Sequence, residues 1–358
     1  MKFMPYKLLV INPGSTSTKV AVFLDCQQLL SKSIEHSQQQ LAALKNQDEQ
    51  LALREQSIKD FLQENNLSLS DFQAIIARGG LLRPIDSGTY KVSPKMVEEL
   101  QREEHGRHAA NVGAIIAWQL SGEGKIPSYI VDPIVVDELS EVARVTGRPD
   151  MKKVSIFHAL NQKAVAKRYA KSIGKSYDEM TIVVAHMGGG VSVGCHHKGR
   201  VIEVNNGLDG EGPFSPNRIG TVQAKAFAQL ILTNNWDMEK IGRVLTGKSG
   251  VLSHLGTEDM REVEVRALAG EEKAKLVFSA LAYQVSRYIA AACVAAKGRV
   301  QQIILTGGIA HSKKMTDEIT SYIDFIAPVT VSPGEDELQA LAEGGMRVLT
   351  GEEQACEY

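Results

Sequence analysis

Two stretches of the chain repeat one another. Leu8 to Gly14 and Ile182 to Gly188 are each an apolar run closed by a polar residue and then a glycine, 174 positions apart. A second run rich in β-branched residues follows each turn, which predicts strand, turn, strand. The ungapped offset places His186 on Asn12 and Gly188 on Gly14. A second echo comes in the same order. Ile75-Ile76-Ala77-Arg78-Gly79-Gly80 matches Ile303-Ile304-Leu305-Thr306-Gly307-Gly308. Glycine after an apolar strand is common, so either echo alone is weak. Together they predict two similarly built α/β domains. A solenoid, whose units recur every ~20–50 residues, is excluded by so long a period.

Length agrees with this. At roughly 100–200 residues per domain, 358 residues leave room for two. The 40 Lys+Arg and 42 Asp+Glu give a net charge of −2, which lacks the basic surface that DNA binding needs to displace counterions. Cys26, Cys195, Cys293 and Cys356 are far apart, with no C-x-x-C, and are expected as reduced thiols rather than a disulfide framework or zinc site. The apolar run Leu8–Ile11 is too short for a signal-peptide core or a membrane span. A cytoplasmic protein with no nucleic-acid or membrane partner is expected.

Helices are expected over 36–66, with an apolar stripe through Leu41, Leu44, Leu51, Ile58, Phe61 and Leu62, and over 94–120, 158–173, 221–235 and 271–297. The Ala-rich helix at 274–297 reads as core. A loop and a last helix close the chain. His196-His197, beside the Lys198-Gly199 turn, is expected at the surface.

Phosphate chemistry enters through the turns. A polyphosphate needs N–H donors that converge with no side chains in the way, and glycines and small hydroxyl residues after a strand supply that. The loop from Asn12 to Lys19 adds hydroxyl, amide and ammonium donors, and the loop from His186 to Gly190 is its counterpart. The plain alternative is two tight β-hairpins. Arg78 ends an apolar run before Gly79-Gly80, and Arg218 lies in the Gly/Pro-rich stretch Gly210–Gly220. Long loops without secondary structure are often functional, and the guanidinium fork suits phosphate and carboxylate. Asp132, before Pro133 at a strand end, suits positioning of a metal or phosphate, or a turn. Residues 242–249 fit G-x-x-x-x-G-K-[ST], but the flanks read as helix and turns rather than strand and helix, so this Walker A match reads as a decoy. His105 and His108 find no third metal ligand at a recognisable spacing.

The stretches NPGSTSTK, ARGG, HAANVG, VDP, AHMGGG, DGEGPFSPNRIGT, LGTEDMR, LTGGIA and PGEDELQALAEG span nearly the whole chain. In this order they resemble the acetate and butyrate kinases, a family of the actin-like ATPase superfamily. The resemblance implies two duplicated ribonuclease-H-like domains with an active-site cleft between them. The boundaries expected are 1–134 completed by a C-terminal helix 338–358, and 135–337. It implies that Asn12, Ser15, Ser17 and Lys19 face the phosphates, with His186, Gly188, Gly189 and Gly190 holding them from the other side. Arg78 and Arg218 would flank the reaction centre, and Asp132 would help place Mg²⁺ or the reacting groups. His108 and Asn111 would line the carboxylate end of the pocket. Asp259, Met260 and Arg261 would lie near the adenine, and Gly307, Gly308 and Ile309 under the nucleoside. Either Asp336 or Glu337 would organise Mg²⁺.

The implied reaction is reversible phosphorylation of a short-chain fatty acid by Mg-ATP, by direct in-line transfer, in a homodimer. Pro13 after Asn12, and a chain shorter than acetate kinases, lean toward butyrate as acceptor. Acetate, propionate or a branched acid are alternatives. An actin-like ATP-binding scaffold is the alternative of another class.

Overall fold

The computed structural model describes residues 5–37, 39–40, 47–122 and 124–358. Leu41 and Leu44 of the expected apolar stripe lie outside the described residues. The chain divides into two compact units, Met1–Val136 with Asp336–Tyr358, and Asp137–Glu335.

The first unit is built on β1 (Lys7–Pro13), whose Leu8 to Ile11 are wholly buried. A strand covered on both faces reads as a continuous apolar run. β1 pairs antiparallel with β2 (Ser17–Leu24), which pairs antiparallel with β3 (Gln27–Glu35). On its other side β1 pairs parallel with β4 (Ala74–Arg78). Beyond the short β5 (Thr89–Lys91) in sequence comes β6 (Ser128–Val131), and the sheet order is β3-β2-β1-β4-β6-β5. Helices α1 (Gln47–Glu64), α2 (Pro94–Gln101) and α3 (Asn111–Leu120) cover it. Leu51, Ile58 and Phe61 of α1 share one core with Leu9, Ile75, Met96 and Ile115.

One strand goes beyond the sequence reading, and one expected helix is divided. β3 is nearly all exposed, so no apolar alternation betrays it; it is a strand because β2 offers it an edge. Of the helix expected over 36–66, Gln47–Glu64 form α1, and Gln39 and Gln40 are helical too. The helix expected over 94–120 is two helices, because Glu103 (φ +52°) and Gly106 (φ +109°) break it, leaving His105 and His108 in the break.

The second unit repeats the plan. β7 (Thr181–Met187) pairs antiparallel with β8 (Val191–His197) and β8 with β9 (Arg200–Val204). β7 pairs parallel with β10 (Gln302–Gly307), and β10 with β11 (Val329–Pro333). The order β9-β8-β7-β10-β11 reproduces β3-β2-β1-β4-β6, with each strand sense kept. The register differs at one point. Pro13 faces Thr18 across the first hairpin, and Met187 faces Val191 across the second. The first turn is therefore Gly14–Ser17 and the second Gly188–Gly190, so the 174-residue offset holds along β1 and β7 and slips by one past the turn.

Besides the single turn Glu141–Arg144, the α-helices of this unit are α4 (Ala159–Ser172), α5 (Ala224–Asn234), α6 (Met238–Thr246), α7 (Gly250–Leu255), α8 (Met260–Leu268), α9 (Glu272–Ala295) and α10 (Lys313–Ile323). On one face α9 packs Val277, Phe278, Leu281 and Val285 against Val183, Ala185 and Leu305. On the other, Val165 and Ala166 of α4 meet Ile182, Val184 and Ile304. α9 is long and apolar enough to cross a membrane, but half of its apolar window is buried inside the unit, as in a core helix. Gly242 of the Walker-like sequence sits inside α6 with no strand before it, which removes the P-loop reading. His196 is fully buried, not exposed as expected, because β8 continues through it and pairs it with Ile182.

The chain then rejoins the first unit as α11 (Glu337–Leu349), packed on β1, β4 and β6. Glycine in a helix costs up to about 1 kcal/mol relative to alanine. Here it is required, since a Cβ on Gly344 would overlap Val131 and one on Gly345 would overlap Ile76. The helix stops at Leu349 rather than running over 338–358. Gly351 (φ +76°) turns the chain, and Cys356 bridges to Tyr90 at the sheet edge.

Candidate active site

Ligands of parallel sheets gather at the carboxyl ends of the strands. In the first unit those ends bring Asn12, Arg78 and Asp132 to one edge, since Ile11 pairs with Ala77 and Arg78 with Val131. Asn12 is buried, and its Nδ2 donates to Glu337 Oε2 at 2.6 Å. Glu337 Oε1 lies 2.8 Å from Arg78 Nη1. Of the two acids the sequence left open, it is Glu337, in the first turn of α11, whose carboxylate sits on Asn12 and Arg78. Asp336 precedes it with φ +39°.

Asp132 also has φ +39° and is buried. Its Oδ1 accepts from Ser87 Oγ at 2.6 Å and from the Gly88 N–H at 2.9 Å, so in this structure it holds the turn into β5. Asn111 is a latch rather than an open pocket wall. Its Oδ1 accepts from Leu81 N at 2.8 Å and its Nδ2 donates to Gly106 O at 2.9 Å. Gly80 has no room for a side chain beside it. His108 Nδ1 accepts from Ala110 N at 3.1 Å. His105 gathers with Glu99 and Glu104 rather than with His108, in a largely exposed acidic cluster.

The turn Gly14–Ser17 is held from behind by a residue that sequence reading missed. Arg54, on α1, is only 2% exposed. Its Nη2 donates to Gly14 O (2.9 Å) and Ser15 O (3.2 Å), and its Nη1 to Ser17 O (2.8 Å) and Thr18 Oγ1 (2.8 Å). His36 adds a bond from its ring Nε2 to Thr18 Oγ1 at 2.9 Å and from its backbone N–H to Thr16 O at 2.8 Å. Burial lowers the pKa of both Arg54 and His36, and for His36 the Arg54 charge adds to the effect. An arginine on a polar helix carries no sequence signal of this kind. Ser15 and Lys19 are exposed, and Ser17 is half-buried.

In the second unit a cavity of about 670 Å³ is lined by Gly188, Gly189, Asp259, Met260, Arg261, Gly308 and Ile309, all singled out from the sequence. That size suits a nucleotide-sized ligand, for which pockets run about 300–1,000 Å³. Asn217, Glu258, Phe278, Ser312 and Glu335 line it as well. Phe278 was invisible in advance because it falls on the apolar stripe of α9, where a pocket residue and a core residue look alike. Gly190 and Gly307 lie elsewhere. Gly190 packs on the Arg218 guanidinium, which a Cβ would overlap, and Gly307 (φ +89°) backs onto the Met187 main chain. Asp259 caps α8 and forks onto Arg261 at 2.8–2.9 Å, which pulls its carboxyl down to about 2.

Arg218 Nη1 donates to Gly207 O at 2.7 Å, while its buried Nε makes no hydrogen bond. Burial lowers its pKa. Ser215 links the arginine to the glycine turn: Oγ donates to Gly189 O (2.6 Å) and accepts from Arg218 N (3.2 Å). His186, next to last in β7, stacks on His158, with centroids 3.8 Å apart. Its Nδ1 meets Asn161 Oδ1 at 2.8 Å. Asn161 Nδ2 donates to Glu335 O at 2.9 Å, which fixes the amide and makes His186 Nδ1 the donor. His186 Nε2 is buried without a hydrogen bond, 3.5 Å from Glu335 Oε1. In the neutral ring that nitrogen carries the lone pair, so it donates only as an imidazolium.

Each unit thus brings guanidinium groups and a glycine-bearing turn to the carboxyl end of its central strand. Such groups stabilise charge that moves between oxygens, which is the main demand of phosphoryl transfer.

Known proteins agree with this reading. Residues 152–331 match the acetokinase family. Butyrate kinase 1 of Clostridium acetobutylicum is 49% identical over 353 residues, covering 99% of each chain. A probable butyrate kinase of Listeria monocytogenes is 45% identical over 355 residues, covering 99% of this chain and all of its own. The crystal structure of Porphyromonas gingivalis acetate kinase superposes with a TM-score of 0.79 at 20% identity, covering 96% of this chain and 100% of that one, and so shares the fold. The strand plan, the glycine turns and this full-length likeness together establish that the chain belongs to the acetokinase family.

Proposed function

We propose that this chain transfers the γ-phosphoryl group of ATP to butyrate, giving butyryl phosphate and ADP, and catalyses the reverse. The observation that carries the choice of acceptor is the 49% identity, over 99% of both chains, to a butyrate kinase.

The chemistry needs no general base. A fatty carboxylate has a pKa close to that of a Glu side chain, about 4.3, and is already an anion at pH 7. One carboxylate oxygen attacks the γ-phosphorus as the bond to the β,γ-bridging oxygen breaks, and no proton is gained or lost. The difficulty is bringing an anion up to a polyphosphate, so the site must cancel charge. Arg78 and Arg218 supply fixed positive charge, and the turns Gly14–Ser17 and Gly188–Gly190 supply main-chain donors. Asn12 and Glu337 hold the Arg78 fork in place. The cavity beside Gly188 takes the nucleotide, with Met260, Phe278 and Ile309 offering apolar surface to its base.

Mg²⁺ fits the donor set. It prefers hard oxygen ligands and binds through one or two carboxylates together with phosphates. Glu335 lines the nucleotide cavity, and Asp336 and Glu337 follow it directly. When bound, the ion would neutralise charge on the β- and γ-phosphates. We place the reaction in the cytoplasm, which suits four cysteines that form no disulfide. A homodimer is the assembly the family resemblance implies.

The test is acyl-phosphate formation with Mg-ATP, trapped by hydroxylamine. The acceptors are acetate, propionate, butyrate, isobutyrate and valerate, ranked by kcat/KM. A maximum at butyrate is expected. A maximum at acetate would keep the reaction and overturn the acceptor, and ATP hydrolysis with no acceptor dependence would overturn the kinase reading.

A further inference from the structure

We propose that Arg54 is a positioning residue for phosphate binding, a buried cation that turns the carbonyls of Gly14–Ser17 inward so that the turn offers its amides to an anion. What the turn holds, a phosphoryl group, rests on the function proposed above.

Every carbonyl of the turn is engaged on the protein side. Arg54 takes those of Gly14, Ser15 and Ser17, and the His36 N–H takes that of Thr16. A trans peptide is planar, so its N–H points opposite to its C=O. Carbonyls drawn toward Arg54 therefore aim the following amides, those of Ser15 and Thr16, away from it. Among the described residues these two amides donate to no protein acceptor. Successive outward N–H groups make an anion-binding concavity.

The charge on Arg54 supports the same conclusion. Buried guanidinium groups are ordinarily matched by a carboxylate, because an unpaired buried charge is costly. Arg54 is 2% exposed, and its hydrogen-bond acceptors are three carbonyls and the Thr18 hydroxyl, with no carboxylate among them. Among the described residues its Nε has no hydrogen-bond partner. Arg78, by contrast, is paired with Glu337. A cation held by dipoles but with no counter-charge of its own leaves positive potential at the turn, and an anion bound there completes the balance. A purely structural clamp on a hairpin needs no charge.

The experiment compares Arg54→Met, which keeps volume and loses charge, with Arg54→Lys, which keeps the charge on a single-point donor. In hydroxylamine assays Arg54→Met is expected to lower kcat by about 10²-fold, with KM for butyrate changed less than about threefold, and Arg54→Lys to recover about tenfold of that loss. A second readout follows the Ser15 and Thr16 amides by NMR during titration with inorganic phosphate. Both should shift saturably in the wild type, and the midpoint should weaken at least about tenfold in Arg54→Met. A folded Arg54→Met with unchanged kcat and an unchanged phosphate titration overturns the proposal. The titration separates these outcomes even if wild-type protein proves to use another acceptor, so the two readings fail separately. Should Arg54→Met not fold, Thr18→Val removes the hydroxyl Arg54 and His36 share without stranding a charge. A phosphate midpoint weakened severalfold then supports the proposal, and an unaltered one overturns it.

Discussion

The two hairpin turns, Gly14–Ser17 after β1 and Gly188–Gly190 after β7, occupy the same place in the same strand plan and are built differently. The first is one residue longer, carries hydroxyls, and is held by a cation that reaches its carbonyls from behind. The second has no side chains. Its shape comes from close packing, with Arg218 against Gly190 and Ser215 on the Gly189 carbonyl. Each has a different residue at its base, Asn12 or His186, and behind the first His36 shares the Thr18 hydroxyl with Arg54. The lesson is that duplication kept the frame and not the chemistry. One turn is shaped by what is added to it, the other by what is left out.

The largest expected effect removes the charge that each unit contributes. Arg78→Ala and Arg218→Ala should each lower kcat about 10³-fold or more, as transition-state arginines do. A loss below tenfold at either one would take that residue out of the mechanism. The next effect separates the two ways of making a turn. Gly190→Ala drives a Cβ into the Arg218 guanidinium, and kcat should fall about 10²-fold. Gly14→Ala meets only Ser17 at an ordinary 3.5 Å. That variant should stay within about threefold of wild type. Equal losses at Gly14 and Gly190 would erase the distinction.

The smallest effect concerns stability. His196 is wholly buried between Tyr177 and Gln162, and burial, helped by the Lys163 charge, holds its pKa well below the ordinary 6.5. The unfolded chain then binds a proton that the native state refuses. Stability is complete above about pH 6.5 and falls below it, by up to about 1.4 kcal/mol per pH unit for each such histidine. His196→Gln should flatten the acid limb of Tm against pH. An unchanged slope would show that His196 titrates normally. The parallel change at His36 tests whether the first hairpin has the same acid sensitivity.

Much of this was legible in the sequence, for a definite reason. β1, β4, β7 and β10 are buried on both faces, so each is an unbroken apolar run, and the glycines that end them stand out. Asn12, Arg78 and the 186–190 turn could be read from that contrast. β3, β5 and β11 could not, because edge strands have no apolar pattern and exist through their neighbours' hydrogen bonds. That the Glu337 carboxylate meets Asn12 and Arg78, directly after a left-handed residue at Asp336, was not legible, because no side chain announces that backbone angle. Arg54 was hidden for the opposite reason. Its role is defined wholly by partners some 40 positions away in sequence, and on its own helix it is one more polar residue.

The return of α11 to the first unit has a temporal consequence. Val131 and Ile76, the surface against which Gly344 and Gly345 pack, are synthesised long before the helix that covers them. About 200 residues intervene, which at roughly 5–20 residues per second is on the order of 10–40 s of translation. The half of the protein made first is thus the half finished last. On the ribosome the second unit can close on its own contiguous sequence, while the first waits with an apolar sheet face uncovered. A nascent chain stalled before Asp336 would be a substrate for chaperones rather than a half-built enzyme.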